Sequence, residues 1–239
     1  MKTVLHKAST RGFFDHGWLK THHTFSFADY YDPERVHFGA LRVLNDDRVA
    51  PGTGFGLHPH SNMEIVTIPL SGALTHGDSM GHSETIGRGM IQVMSAGRGL
   101  RHSEMNKDLN RNAELLQIWV IPDREHVEPR YENAVIADLL RKNRIATIVE
   151  PYPGNGRIPW IYQQAWFSIG KLEKGTELVY PFHSDKSFGT YVFVLSGDIE
   201  AAGIELSERD GLGISETQEI PLRAVTDAQI LLIEVPDIR

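Results

Sequence analysis

Four side chains in two short clusters are the residues of this chain best suited to chemistry: His58-Pro59-His60 and His102-Ser103-Glu104. In extended backbone, side chains two apart share a face, so His58 pairs with His60 and His102 with Glu104. Two such faces closing on one ion would offer three neutral imidazoles and one carboxylate. That donor set suits a divalent first-row transition metal and leaves coordination positions open for a reactant. A histidine pair two apart arises easily by chance in a chain with 12 His, so the surrounding spacing matters. Gly52 stands six residues before His58, Glu64 four after His60, and Gly72 closes the first segment; Gly99 stands three before His102 and Asn106 four after it.

The elements that must position these residues read as strands. Residues 38–45, 64–70, 90–94 and 115–122 are short apolar or β-branched runs, separated by turns at Gly72, Gly81, Gly87 and Gly97. Strands at this rhythm predict an all-β antiparallel barrel or sandwich. Pro69 confines its stretch to an edge or a bulge at that point. Residues 131–144 carry a helical period through Val135, Leu139 and Leu140, which predicts a short connecting helix. Pro151 to Gly156 is a break, and 152–159 is the expected linker. Residues 12–32 are dense in aromatics and histidines; these either plug one end of a barrel or, His22 and His23 included, line the rim of the metal pocket.

The chain then begins again. Val192-Phe-Val-Leu-Ser-Gly197 echoes Thr67-Ile-Pro-Leu-Ser-Gly72, and the offset of 125 places His183 under His58, Asp185 under His60 and Gly189 under Glu64. A duplicated fold follows. No histidine lies beyond His183, so the second copy cannot assemble the first copy's ligand set, and His183 reads as a surface or packing residue. We expect one domain over 1–133 that carries the metal site and a second over 134–239, with the connecting helix and linker, that carries none.

Composition narrows the function classes. At 239 residues and 41% hydrophobic the chain can build a sizeable core. Its net charge of −7, without a basic run, disfavours direct nucleic-acid binding. There are no cysteines, which removes disulfides and thiolate ligands. No run of about 18 apolar residues is present, and the first residues lack the apolar core of a secretion signal, so we expect a soluble cytoplasmic protein.

Gly52 to Gly72 and Gly99 to Asn106 together resemble the two-motif signature of the cupin superfamily, with seven residues rather than six between Glu64 and Gly72 and with Gly97 in place of a proline. With Gly17-Trp18, His22-x-Thr-Phe-Ser-Phe-Ala28, Tyr30-Tyr31-Asp32-Pro33, Leu41-Arg-Val-Leu-Asn-Asp46 and Met94-Ser-Ala-Gly-Arg-Gly99, the chain resembles the pirin family, and its bacterial quercetinase-like members in particular. The resemblance implies a bicupin: two antiparallel jelly-roll β-barrels, a metal in the N-terminal one, and a degenerate C-terminal one. It puts the ligands at His58, His60, His102 and Glu104. Most cupins take their carboxylate from the first motif, which would nominate Glu64, and strand parity alone does not separate the two.

The ion implied is one divalent transition metal per chain, iron(II) first, with nickel, copper, manganese, cobalt and zinc compatible. The activity implied is quercetin 2,3-dioxygenase, the opening of a flavonol's heterocyclic ring by O2 with release of carbon monoxide, Glu104 being the candidate base for the hydroxyl proton. The partners expected are thus a flavonol or related phenol and O2, with the chain a monomer. The alternative the family offers is a metal-dependent, redox-sensitive regulator that binds a transcription factor or a metabolic enzyme.

Overall fold

In the strand Glu64–Ser71, Val66 and Ile68 face one way, Ile65 and Thr67 the other, and all four are buried. A strand with no solvent face must lie between two layers. The computed structural model, which describes residues 1–238, shows those layers. One seven-stranded sheet runs in the order Arg130–Val135, Met90–Ser95, Glu64–Ser71, Ala113–Val120, Leu41–Val49, Leu19–His23, Gly12–Asp15. A second runs Lys2–His6, Gly211–Ser215, Ser187–Ser196, Ala228–Pro236, Trp166–Leu172, Arg144–Pro151, Trp160–Ile161. They pack through one shared core that includes Leu44, Val66 and Ile118 from the first and Phe167, Phe193 and Ile233 from the second.

A four-stranded sheet covers the far side of each. Gly54–His60, Leu100–Met105, Ala73–Asp78 and Ser83–Gly87 cover the first, where Val49 and Leu115 share a cluster with Leu74 and Ile86. Glu177–Pro181, Glu219–Ala224, Ile199–Ala201 and Ile204–Leu206 cover the second, where Val192 and Ile230 join Ile199 and Leu222. The all-β bicupin architecture is therefore as the sequence indicates. Among the described residues no sheet closes on itself, so each half is a jelly-roll sandwich of seven and four strands rather than a closed barrel.

The internal repeat is visible in the strand order. Glu64–Ser71 and Ser187–Ser196, which carry the echoed segments, are each third in their seven-stranded sheet, and Gly72 and Gly197, which follow them, both have positive φ. Pro69 sits where the pairing with Ala113–Val120 shifts register, and the neighbour on the other side, Met90–Ser95, pairs no further than Thr67. No ladder hydrogen bond is asked of it.

Two expectations are corrected. Residues 131–144 are not a helix: Arg130–Val135 is an edge strand paired with Met90–Ser95, and only Ala137–Leu139 makes a single 3-10 turn. The apolar stripe that suggested a helix is not buried as one, since Val135 is 62% and Leu139 39% exposed; free backbone at the sheet edge is satisfied by pairing instead. Residues 152–159 are not a linker between halves. They connect Arg144–Pro151 to Trp160–Ile161, which pair in parallel as the last two strands of the second seven-stranded sheet.

Candidate metal centre

His58 and His60 lie on Gly54–His60, which pairs antiparallel with Leu100–Met105 so that His102 stands opposite His58 and Leu100 opposite His60. Between His102 and Glu104 the register shifts, and Gly56 and Leu57 together face Ser103. A bulge of this kind re-aims side chains. Phe55 and His58, an odd number of residues apart, consequently line the same cavity. It also brings the Gly56 carbonyl 2.7 Å from His58 Nδ1, which fixes the proton there and leaves Nε2 bare.

One ring nitrogen from each of His58, His60 and His102 lies within 4.8 Å of the other two. His102 Nε2 is buried and has no hydrogen-bond partner among the described residues. A bare, buried nitrogen facing two more imidazoles is costly unless something accepts its lone pair, and a divalent ion meets that need. Burial, and then the neighbouring His58, holds His60 down to about 4. Burial, and then the surrounding imidazoles, holds His102 far below the ordinary histidine value. Both stay neutral and able to ligate at physiological pH.

Glu104 does not bring a carboxylate oxygen within 4.8 Å of all three rings, but it borders the same cavity, of about 260 Å³. Its carboxylate accepts from Gln117 Nε2 at 3.2 and 2.9 Å, and Gln117 Oε1 accepts from Thr67 Oγ1 at 2.9 Å. Burial pushes the Glu104 carboxyl up to about 7 against the downward pull of the Gln117 amide. Glu64 is elsewhere: it is buried, accepts from Ser95 Oγ at 2.7 Å, and lines no part of this cavity.

The rest of the cavity divides into an apolar wall of Leu19, Phe27 and Phe55 and a polar side that includes His23, Asn45 and Asp47. His23 Nδ1 is 2.8 Å from Asn45 Oδ1, and Asp47, raised to about 7 by burial, accepts from Thr21 Oγ1 at 2.5 Å. Trp119 meets His60 edge-on at 5.0 Å, and its indole N–H is buried without a partner among the described residues. Of the two readings for the aromatic segment, lining the pocket holds for His16, His23 and Phe27, but not for His22, which packs on Phe13.

Gln117, Thr67 and Asp47 are not among the residues singled out from the sequence. For Gln117 and Thr67 the signal was a single polar residue inside an apolar strand, as in Leu115-Leu116-Gln117-Ile118; Asp47 lies in the polar run Asn45-Asp46-Asp47-Arg48, which carries no such signal.

In the second half the strands matching Gly54–His60 and Leu100–Met105 are Glu177–Pro181 and Glu219–Ala224. Where the first half turns His102 and Glu104 inward, the second turns in Ile220, Leu222 and Ala224. His183 Nδ1 bonds Glu234 at 2.9 Å and its ring stacks on Trp166, which is the packing role expected of it.

A jelly-roll bicupin with a three-histidine cluster in one half defines a class of cupins whose cluster could hold a metal ion, and comparison with known proteins gives the chain's family. Residues 4–120 match the family model described as Pirin, and 148–235 match the one described as Quercetinase C-terminal cupin domain. The chain is 38% identical to a quercetin 2,3-dioxygenase of Escherichia coli K12, over 98% of this chain and 99% of that one. It is 40% identical to a putative quercetin 2,3-dioxygenase of Zymomonas mobilis, over 93% of each. The crystal structure of the bacterial pirin YhhW of Escherichia coli in complex with nickel(II) superposes with a TM-score of 0.93 at 37% identity, covering 99% of this chain and all of that one. The chain belongs to the pirin family.

Proposed function

We propose that this protein is a metal-dependent dioxygenase that opens the heterocyclic ring of a flavonol such as quercetin with O2 and releases carbon monoxide, its metal held by His58, His60, His102 and Glu104. The observation that carries this reading is the convergence of three imidazoles, His58, His60 and His102, beside a cavity that His58, His60 and the buried carboxylate of Glu104 line together with an aromatic wall. The names of the relatives and the nickel complex of the similar structure support it. A divalent ion held there supplies Lewis acidity toward a phenol oxygen and redox access to O2.

The chain's own residues do the rest. Leu19, Phe27 and Phe55 take up the flat faces of a polyphenol and exclude water. The Trp119 indole N–H offers a donor to one of its oxygens. Glu104 accepts the proton of the enolic hydroxyl on a carboxylate oxygen. A base whose pKa lies near the working pH is suited to that transfer, and the Gln117 amide, which donates to both oxygens, stabilises the ionised form that must be present beforehand. Glu104 can act in this way whether or not it also ligates.

The test is aerobic incubation of protein loaded separately with iron(II), nickel(II), copper(II), manganese(II), cobalt(II) and zinc(II) with quercetin, following the flavonol absorption band and carbon monoxide in the headspace. Chelated protein and H58A/H60A are the controls. Loss of the band with stoichiometric carbon monoxide supports the proposal; turnover absent with every metal overturns it in favour of the regulatory role open to this family.

A further inference from the structure

We infer that Asp78, acting through His76, sets the tautomer of His102 and so holds its Nε2 bare and aimed at the ion. This rests on reading His58, His60 and His102 as metal ligands. The two residues are neighbours of His102 through the sheet, not the sequence: Ala73–Asp78 pairs with Leu100–Met105, with Asp78 opposite His102 and His76 opposite Glu104. Neither His76 nor Asp78 lines the cavity.

The geometry fixes the protons in order. Asp78 Oδ1 accepts the backbone N–H groups of Met80 and His82, at 2.9 and 3.1 Å, which locks the carboxylate in the turn. Its Oδ2 lies 3.1 Å from His76 Nε2 and 2.9 Å from His82 Nδ1, and a carboxylate can only accept, so both rings donate to it. A neutral His76 protonated at Nε2 has a bare Nδ1. That atom lies 3.4 Å from His102 Nδ1, so His102 is the donor and its remaining nitrogen, Nε2, carries the lone pair. His102 Nε2 is the atom that has no partner among the described residues. His58 reaches the same tautomer from its backbone neighbour Gly56; among the described residues no carbonyl is bonded to the His102 ring, and the carboxylate acts at one remove.

Tyr131 holds the arrangement in place. Its ring stacks on His76 at 4.2 Å and 20° and on His82 at 5.0 Å and 24°. His76 is buried and His82 is 40% exposed along its side chain, so the bonded series runs from His102 to the protein surface. Partners of this kind orient a ligating imidazole and raise its basicity, and their loss weakens metal affinity by about 10- to 100-fold.

The experiment is made on metal-free protein first. Long-range 1H–15N spectra of the histidine rings are expected to show His102 protonated at Nδ1 in the parent; protonation at Nε2 would overturn the inference without any variant. Zinc(II) affinity is then measured by competition with a chromophoric chelator. H76F is expected to bind about 10- to 100-fold more weakly. H76Q, whose carbonyl can accept from His102 and whose amide can donate to Asp78, should stay close to the parent. D78N should show mixed His102 tautomers and weakened binding, and it serves if H76F does not fold. Equal affinity in parent, H76F and D78N would overturn the inference. A parent that takes up no zinc, or takes it up equally after H58A/H60A, would instead overturn the ligand reading on which this one stands.

Discussion

Gln117 Nε2 donates to both carboxylate oxygens of Glu104 from across the sandwich: Gln117 lies on the seven-stranded sheet and Glu104 on the four-stranded sheet that covers it. Thr67, directly opposite Gln117 in the adjoining strand, donates to the amide oxygen, so the amide cannot turn its acceptor toward the carboxylate. The donor pair therefore favours the ionised form of a carboxyl that burial drives the other way.

Replacing Gln117 by Leu removes that donor pair, and the Glu104 pKa should rise further. If Glu104 acts as the base, the acid limb of kcat/KM against pH moves to higher pH, because the active form is the deprotonated one. Leaving the buried carboxyl without its bonds should also cost about 1–3 kcal/mol of stability. A pH profile superimposable on that of the parent would show that Gln117 does not tune Glu104.

Glu104→Gln keeps size and a coordinating oxygen and can still accept from Gln117, but it cannot take a proton. Turnover of quercetin should fall by about 10²-fold or more at matched metal content. His102→Ala should lose metal and activity together. Near-parent turnover by the Gln variant would remove Glu104 from the chemistry.

The two histidine clusters and the duplicated Leu-Ser-Gly turn were legible because each is local: His-x-His fixes its own face, and Gly72 and Gly197 mark their own turns. What escaped is set by pairing between distant strands. Gln117 reaches Glu104, and His76 reaches His102, only once register is known. The helix expected over 131–144 failed for a related reason. Val135 and Leu139 satisfy a helical period, but the edge of Met90–Ser95 offers that stretch a ladder that its sequence does not announce.

Metal stoichiometry follows from the contrast between halves. With Ile220, Leu222 and Ala224 turned inward where the first half has His102 and Glu104, elemental analysis should find one ion per chain, and none after H58A/H60A. Chelation should lower the melting temperature, since an ion bound only by the folded state stabilises it by RT ln(1 + [L]/Kd). Two tightly held ions, or a melting temperature indifferent to chelator, would contradict the site.

Glu64 provides the control that separates the general cupin pattern from the arrangement seen here. Its carboxyl is buried, held by Ser95 Oγ, and raised by burial to about 7 from an ordinary 4.5. A folded-state value above the unfolded one means the folded protein holds the proton more tightly. The favourable contribution is full below the unfolded pKa of 4.5 and is lost as pH rises through 7. Glu64→Gln mimics the protonated form at every pH. In metal-free protein the variant should match the parent near the lower value, become progressively more stable than it between the two values, and keep a constant advantage above the upper one. The gap is limited by the shift to about 3 kcal/mol, at roughly 1.4 kcal/mol per unit. Denaturant unfolding at several pH values measures this, and metal content and quercetin turnover should be unchanged. Loss of the ion in Glu64→Gln would make Glu64 the carboxylate ligand, and parallel stability curves would mean that Glu64 is ionised where it lies.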